Sequence, residues 1–205
     1  MKDKVLVWLT KDRPISKTRF AHHVLRSTPW LNRNGKLGVV KIVKNEVVML
    51  PPGGQVLPYF KDSSGRWKIV LVCQYRSAIK KVTFEGAGGR VENGETAQTA
   101  LSRELEEETG IRVSSELIQI VFEEYVHPSI LSATVFGGIV EITENIVEDK
   151  KNAGKKCENE QTQVEISDLI LFIKKRRVKL VKVDLLTSRL IDEVAKATAL
   201  FVKKY

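Results

Sequence analysis

The chain has 205 residues, 42% hydrophobic and 29% charged, with 34 Lys and Arg against 25 Asp and Glu for a formal charge of +9. That length suits one substantial domain, or one domain with an extension, at about 100–200 residues per domain. No apolar run approaches the roughly 18 residues that would span a bilayer, and the positive surplus favours anionic ligands without choosing among them.

Val5-Leu6-Val7-Trp8-Leu9 follows a charged start and is too short for a secretory core; a short strand is expected over Lys4–Leu9. A helix is expected near Ile15–Arg26, and Ser27-Thr28-Pro29 reads as a turn. Leu37–Val43 and Glu46–Leu50 read as a hairpin around Lys44-Asn45, and Pro51-Pro52-Gly53-Gly54 breaks the pattern. Val56–Phe60 and Trp67–Tyr75 form a second hairpin across the turn-rich segment Lys61–Arg66. Thr96 to Thr109 is a helical run closed by Gly110, and Ala97, Leu101 and Leu105, with Ala100 beside them, form the stripe that should lie on a sheet. Strands follow at Leu117–Tyr125 and Thr134–Ile142. A charged loop runs from Glu144 to Glu160, and Thr162–Ile166 is the last strand. Ser167-Asp168 caps a helix to about Lys175, and Leu185 to Val202 is the closing helix. Strands outnumber helices, so the expected class is α+β, a sheet sandwiched by helices. The two cysteines, Cys73 and Cys157, lack metal-type spacing, which argues against a disulfide framework and for a reducing cytoplasm.

The chemistry concentrates between Gly89 and Ile111. On a helix Glu104, Glu107 and Glu108 share one face, and Arg103 lies four residues before Glu107. Like charges so spaced repel by a few tenths of a kcal/mol per pair unless something positive sits among them. The glycines just before this helix let backbone approach a phosphate closely. Oxygen-only ligands suit a hard cation such as Mg²⁺ or Mn²⁺, which binds phosphates and keeps some waters. A Glu-rich solvated helix is the plain alternative, because Glu is a good helix former.

Gly89, Glu95, Arg103, Glu104, Leu105, Glu107, Glu108, Gly110 and Ile111 match every fixed position of the pattern G-x5-E-x7-R-E-U-x-E-E-x-G-U, with U aliphatic. The stretch thus resembles the Nudix box. The resemblance implies a Nudix-type α/β/α sandwich with a mixed β-sheet and an N-terminal extension, and divalent-metal-dependent pyrophosphohydrolysis. It implies metal ligands at Glu104 and Glu108, with Glu107 assisting, and Arg103 orienting the glutamates. Gln74-Tyr75-Arg76, then Glu85 and Gly88-Gly89, is similar to the ADP-ribose pyrophosphatase branch. That likeness implies Arg76, Glu85 and Gly89 at the substrate, the Gly88 carbonyl facing a metal, Glu158 as catalytic base and Glu160 as a further ligand. ADP-ribose, cleaved to AMP and ribose 5-phosphate, is the substrate it implies first. Nucleoside triphosphates or dinucleoside polyphosphates are the alternative, and a non-catalytic nucleotide- or RNA-binding module is the alternative of another class. Residues 1–36 are similar to the extension through which that branch forms swapped homodimers, leaving 37–205 as the Nudix domain.

Two departures stand out: Gly88 replaces an alanine, which leaves its carbonyl in place, and His127–Ser132 replaces a Pro-Gly loop followed by an acidic residue. His22-His23 has no third ligand near it in sequence, so a zinc site is not expected. The cluster Lys174-Lys175-Arg176-Arg177 reads as a solvated turn; without interleaved aromatics, nucleic acid is not an expected partner.

Overall fold

Along two adjacent strands the buried side chains alternate between opposite faces, and this alternation builds the layers of the fold. The computed structural model describes residues 11–18, 21–31, 39–146, 160–165 and 185–202. The strands are β1 (Lys11–Lys17), β2 (His22–Leu31), β3 (Val39–Met49), β4 (Gly53–Lys61), β5 (Trp67–Arg76), β6 (Lys81–Glu85), β7 (Ala87–Arg90), β8 (Gln119–Tyr125), β9 (Leu131–Ser132), β10 (Thr134–Glu141) and β11 (Glu160–Glu165). Helix α1 spans Ala97–Thr109 and α2 spans Leu185–Val202, and a 3-10 turn lies at Ser115–Leu117. The chain divides into two compact units, residues 1–52 with 124–134, and residues 53–123 with 135–205.

The larger unit carries the sheet β11-β5-β4-β10-β8, with β6 pairing β5 and β7 pairing β4. The β4–β10 pairing is parallel, whereas β4–β5 and β5–β11 are antiparallel, so the sheet is mixed. Val56 and Phe60 of β4, Val70 and Val72 of β5 and Val140 of β10 pack with Leu101 and Leu105 of α1. Their neighbours Leu57 and Tyr59, Ile69 and Leu71, and Ile139 pack with Leu190, Ile191 and Val194 of α2. Period-two side chains thus feed one helix on each face, which is the expected α/β/α sandwich. Each fully buried Leu or Ile in these layers contributes about 1.5–3 kcal/mol of transfer free energy.

Helix α1 begins where a local cap allows it. Thr96 Oγ1 accepts from Thr99 N at 3.2 Å, satisfying an amide the helix itself cannot pair. At the other end Gly110 takes the left-handed conformation, φ 68°, and its N–H reaches the Glu106 carbonyl. Thr96→Ala should therefore destabilise the protein by about 1 kcal/mol. A melting curve lowered by roughly 2–4 °C would register that loss, and an unchanged midpoint would mean the cap is dispensable.

In the other unit β1, β2, β3 and β9 form a four-stranded sheet. Three local expectations are corrected here. The helix expected near Ile15–Arg26 is instead the antiparallel pair β1–β2, the turn expected at Ser27-Thr28-Pro29 lies within β2 and pairs with Lys44, Val43 and Ile42, and the expected hairpin over Leu37–Leu50 is the single strand β3. Strand β2 pairs with β3 from His22↔Met49 to Leu31↔Val39, and this ladder outweighs a weak local helical preference. Pro14 sits in edge strand β1, beside a register shift, where a missing N–H is tolerated. Lys44 and Asn45 do not turn: they pair straight across to Ser27 and Arg26. A two-residue hairpin turn needs positive φ, which among the described non-glycine residues only Lys80 and His127 adopt. The strand expected at Lys4–Leu9, the helix expected from Asp168 to Lys175 and the basic cluster after it lie outside the described residues, as does most of the charged loop from Glu144.

Candidate active site

The box helix and the strand before it meet through glycine. Strand β7 pairs with β4, placing Gly88 opposite Gln55 and Gly89 opposite Gly54. A Cβ on Gly89 would overlap the Glu104 carboxylate, and one on Gly88 would overlap the Gly54 carbonyl oxygen. Only glycine lets the β7 backbone lie this close both to β4 and to the acidic face of α1. The alanine found at the Gly88 position in the ADP-ribose branch has no room in this chain. Gly88→Ala should cost about 1–3 kcal/mol through overpacking, read as a lower denaturant midpoint; a midpoint equal to wild type would show that β4 yields freely.

Arg103 organises the acids. Its Nε donates to Glu95 Oε1 at 2.9 Å and its Nη2 to Glu95 Oε2 at 3.1 Å and to the Arg90 carbonyl at 3.0 Å. Its Nη1 donates to Glu104 Oε1 at 2.8 Å and Glu107 Oε2 at 3.2 Å. All five N–H groups of the guanidinium are thereby engaged. The Glu95 bonds, opposed by some desolvation and helped by Glu104, push the Arg103 pKa up, so its charge is permanent. Glu95 is lowered in turn, first by Arg103 and then by the Glu92 amide. The cation that Glu-rich spacing requires is thus on the helix itself.

Glu108 differs from its neighbours. It is buried, 6% exposed, and its Oε2 accepts from Gly88 N at 2.9 Å. The structure therefore brings Gly88, Gly89, Arg103, Glu104, Glu107 and Glu108 together. Glu104 and Glu107 are turned onto Arg103 and Glu108 onto the Gly88 amide. Among the described residues no three His, Cys, Asp or Glu side chains stand gathered as a ready ligand set. The donors still suit a hard divalent ion in kind: the side chains offered are carboxylates, beside backbone brought close by glycine.

Arg76 and Glu85 form a second cluster. Glu85 is 2% exposed, whereas the Arg76 side chain is 47% exposed. Arg76 Nε donates to Glu85 Oε1 at 2.8 Å and its Nη2 to Glu85 Oε2, while Thr83 Oγ1 donates to Glu85 Oε1. Burial pushes the Glu85 pKa up, but the bonds from Arg76 and Thr83 more than offset it and the net shift is downward. Of the pair, Arg76 is the one presented to solvent. Glu160 begins β11, its backbone opposite Cys73; Glu158 lies outside the described residues.

Glu95, Gln55 and Thr187 were not singled out as site residues from the sequence. Glu95 had a signal, since it is a fixed position of the box. Gln55 and Thr187 had only their polarity within apolar runs.

The family model for the NUDIX domain matches residues 53–177, more than half of the chain. The chain belongs to the Nudix family. Nudix enzymes generally use divalent metals and act on nucleotide substrates, and the box helix with its glycine strand lies within the matched region. The chain is 26% identical over 145 residues to the ADP-ribose pyrophosphatase of Bacillus subtilis (strain 168), covering 71% of this chain and 72% of that protein. It is 39% identical over 67 residues to the methanol dehydrogenase activator of Bacillus methanolicus, covering 33% of this chain and 34% of that one. No helix among the described residues is long and apolar enough to cross a membrane.

Proposed function

We propose that this Nudix protein hydrolyses a nucleoside diphosphate linked to another moiety, with ADP-ribose, giving AMP and ribose 5-phosphate, as the first substrate. The observation that carries this reading is the juxtaposition of Glu104, Glu107 and Glu108 on one helix with the Gly88-Gly89 backbone, around an arginine that fixes two of the acids. Similarity to the B. subtilis protein named for ADP-ribose, along most of both chains, supports the choice of substrate.

Glu104 and Glu108, assisted by Glu107 and joined by the Gly88 carbonyl and Glu160, are the groups that would hold Mg²⁺ or Mn²⁺. Such an ion supplies charge neutralisation on the diphosphate and a more acidic water. Arg103 holds Glu104 and Glu107 in place with a fixed positive charge between them, which spares the substrate complex the cost of assembling like charges. Gly89 lets the diphosphate approach backbone, and Arg76, steadied by Glu85, meets the anionic or polar part of the substrate. Glu158 accepts the proton of the attacking water as general base. A cytoplasmic homodimer, with residues 1–36 contributing to its interface, completes the reading.

The test is incubation of the protein and Mg²⁺ with ADP-ribose, NADH, sugar nucleotides, diadenosine polyphosphates and nucleoside triphosphates, with products identified by mass. The reading expects AMP and ribose 5-phosphate to form fastest, and to stop forming when the metal is chelated. Faster cleavage of a triphosphate or dinucleoside polyphosphate would move the substrate assignment within the family; no cleavage of any of them would refute the enzymatic reading.

A further inference from the structure

Three polar side chains are buried in the core of the larger unit and bonded to one another. Thr187 of α2 is 0% exposed, Gln55 of β4 is 7% exposed and Glu85 of β6 is 2% exposed. Thr187 lies on the helix that sends Leu190, Ile191 and Val194 into the apolar layer. For packing alone, valine would fill the same space without a hydroxyl to satisfy. The hydroxyl is used at both ends. Thr187 Oγ1 accepts from the backbone N of Gly86 at 3.0 Å and donates to Gln55 Oε1 at 2.8 Å. That bond fixes which end of the Gln55 amide faces the helix, so Gln55 Nε2 faces Glu85 Oε2, at a longer 3.4 Å. Glu85 in turn grips the guanidinium of Arg76.

The path therefore touches the candidate site at two places. It pins Gly86, between Glu85 and the Gly88-Gly89 strand whose Gly88 amide meets Glu108. It also ends on Arg76, the half-exposed cation. We propose that Thr187 is a positioning residue: its hydroxyl fastens the segment from Glu85 to Gly88 to the C-terminal helix and, through Gln55 and Glu85, sets the direction of Arg76 toward the substrate. This rests on the functional reading above for what Arg76 meets, but not for the bonds themselves. The C-terminal helix, remote in sequence from the box, thus has a part in substrate recognition.

Thr187→Val removes the hydroxyl while keeping shape, and Thr187→Ser restores it. With ADP-ribose, Thr187→Val should lower kcat/KM by about tenfold, the usual scale for an outer-layer hydrogen-bond partner. The loss should fall mainly on KM, because Arg76 acts in binding, and Thr187→Ser should recover to within about twofold of wild type by the same scale. In the Arg76→Ala background Thr187→Val should add little, since both changes act on one interaction. Gln55→Leu cuts the same path on the sheet and is read in the same way. Independently of turnover, the Arg76 Nε–H and Gly86 amide signals in a ¹⁵N spectrum should be protected from solvent exchange in wild type and Thr187→Ser, and lose that protection in Thr187→Val. Unchanged KM and unchanged protection in Thr187→Val would overturn the proposal, as would a full tenfold loss persisting without Arg76. Wild-type protein that cleaves no nucleotide would refute the functional reading instead, and the two exchange signals would then decide the positioning claim by themselves.

Discussion

Glu108→Gln is expected to cut turnover by orders of magnitude while leaving the fold in place, and Glu107→Gln to do so more mildly. Glutamine keeps an oxygen that can accept from the Gly88 amide, the bond that Glu108 makes at 2.9 Å. Removing the charge, however, takes away one of the carboxylates that the box helix carries beside the Gly88-Gly89 backbone. A hard divalent ion depends on ionised oxygen ligands, and the charge stabilisation it lends the diphosphate supplies much of the rate enhancement in such a reaction. Glu107 is half exposed and bonds Arg103 at the longer distance of 3.2 Å, so its effect should be the smaller. Steady-state rates with saturating Mg²⁺, alongside circular dichroism of each variant, separate chemistry from folding. Wild-type rates in both variants would remove the box helix from the mechanism.

Arg76→Ala should reverse the way stability responds to pH around Glu85. In the wild-type protein the folded-state pKa of Glu85 is lowered, net of burial, by Arg76 and Thr83. A lowered carboxyl contributes stability that is present above its unfolded value, about 4.3, and is lost as pH falls through the folded one. Without Arg76, burial dominates a side chain that is 2% exposed, and the folded pKa moves above the unfolded value. The sign of the Glu85 contribution then inverts: folding takes up a proton there, so that contribution is greatest below about pH 4.3 and is lost as pH rises through the raised folded value. Near neutrality the variant should be less stable by about 1–3 kcal/mol, a figure kept modest because the arginine is half exposed. Adding Glu85→Gln to Arg76→Ala should abolish the inverted slope. Denaturant midpoints measured between pH 3 and pH 8 for the three proteins test this, and parallel curves for wild type and Arg76→Ala would contradict it.

What was legible in the sequence follows how local each interaction is. Helix α1 could be read to within one residue, Thr96 proving to be its cap, because its determinants are its own: the Leu101 and Leu105 stripe, the closing Gly110, and an arginine placed one residue before Glu104 and four before Glu107. The hairpin β4–β5 was legible because turn residues at Asp62–Gly65 separate two apolar runs. Strand β2 was not, since its structure is decided by pairing with β3 across another segment, and a short amphipathic run cannot announce its partner. Strand β7 escaped for another reason. Glycines such as Gly88 and Gly89 are weak strand signals, although they are what let β7 lie against β4 under the Glu104 carboxylate. In the site, the box residues carried their own pattern, while Gln55 and Thr187 meet across 132 residues of chain, a separation that no periodicity encodes. The family resemblance places Glu85 at the substrate, and its burial with its bonds to Arg76 gives it a more specific part, as the anchor of that cation.

The most direct trial of this account is a crystal structure of the protein with Mg²⁺ and a non-hydrolysable ADP-ribose analogue. The account predicts metal density coordinated by Glu104 and Glu108 and by an oxygen of the analogue's diphosphate, with the Arg76 guanidinium against the ligand. An analogue bound elsewhere, or a box-helix surface bare of metal at saturating Mg²⁺, would contradict it.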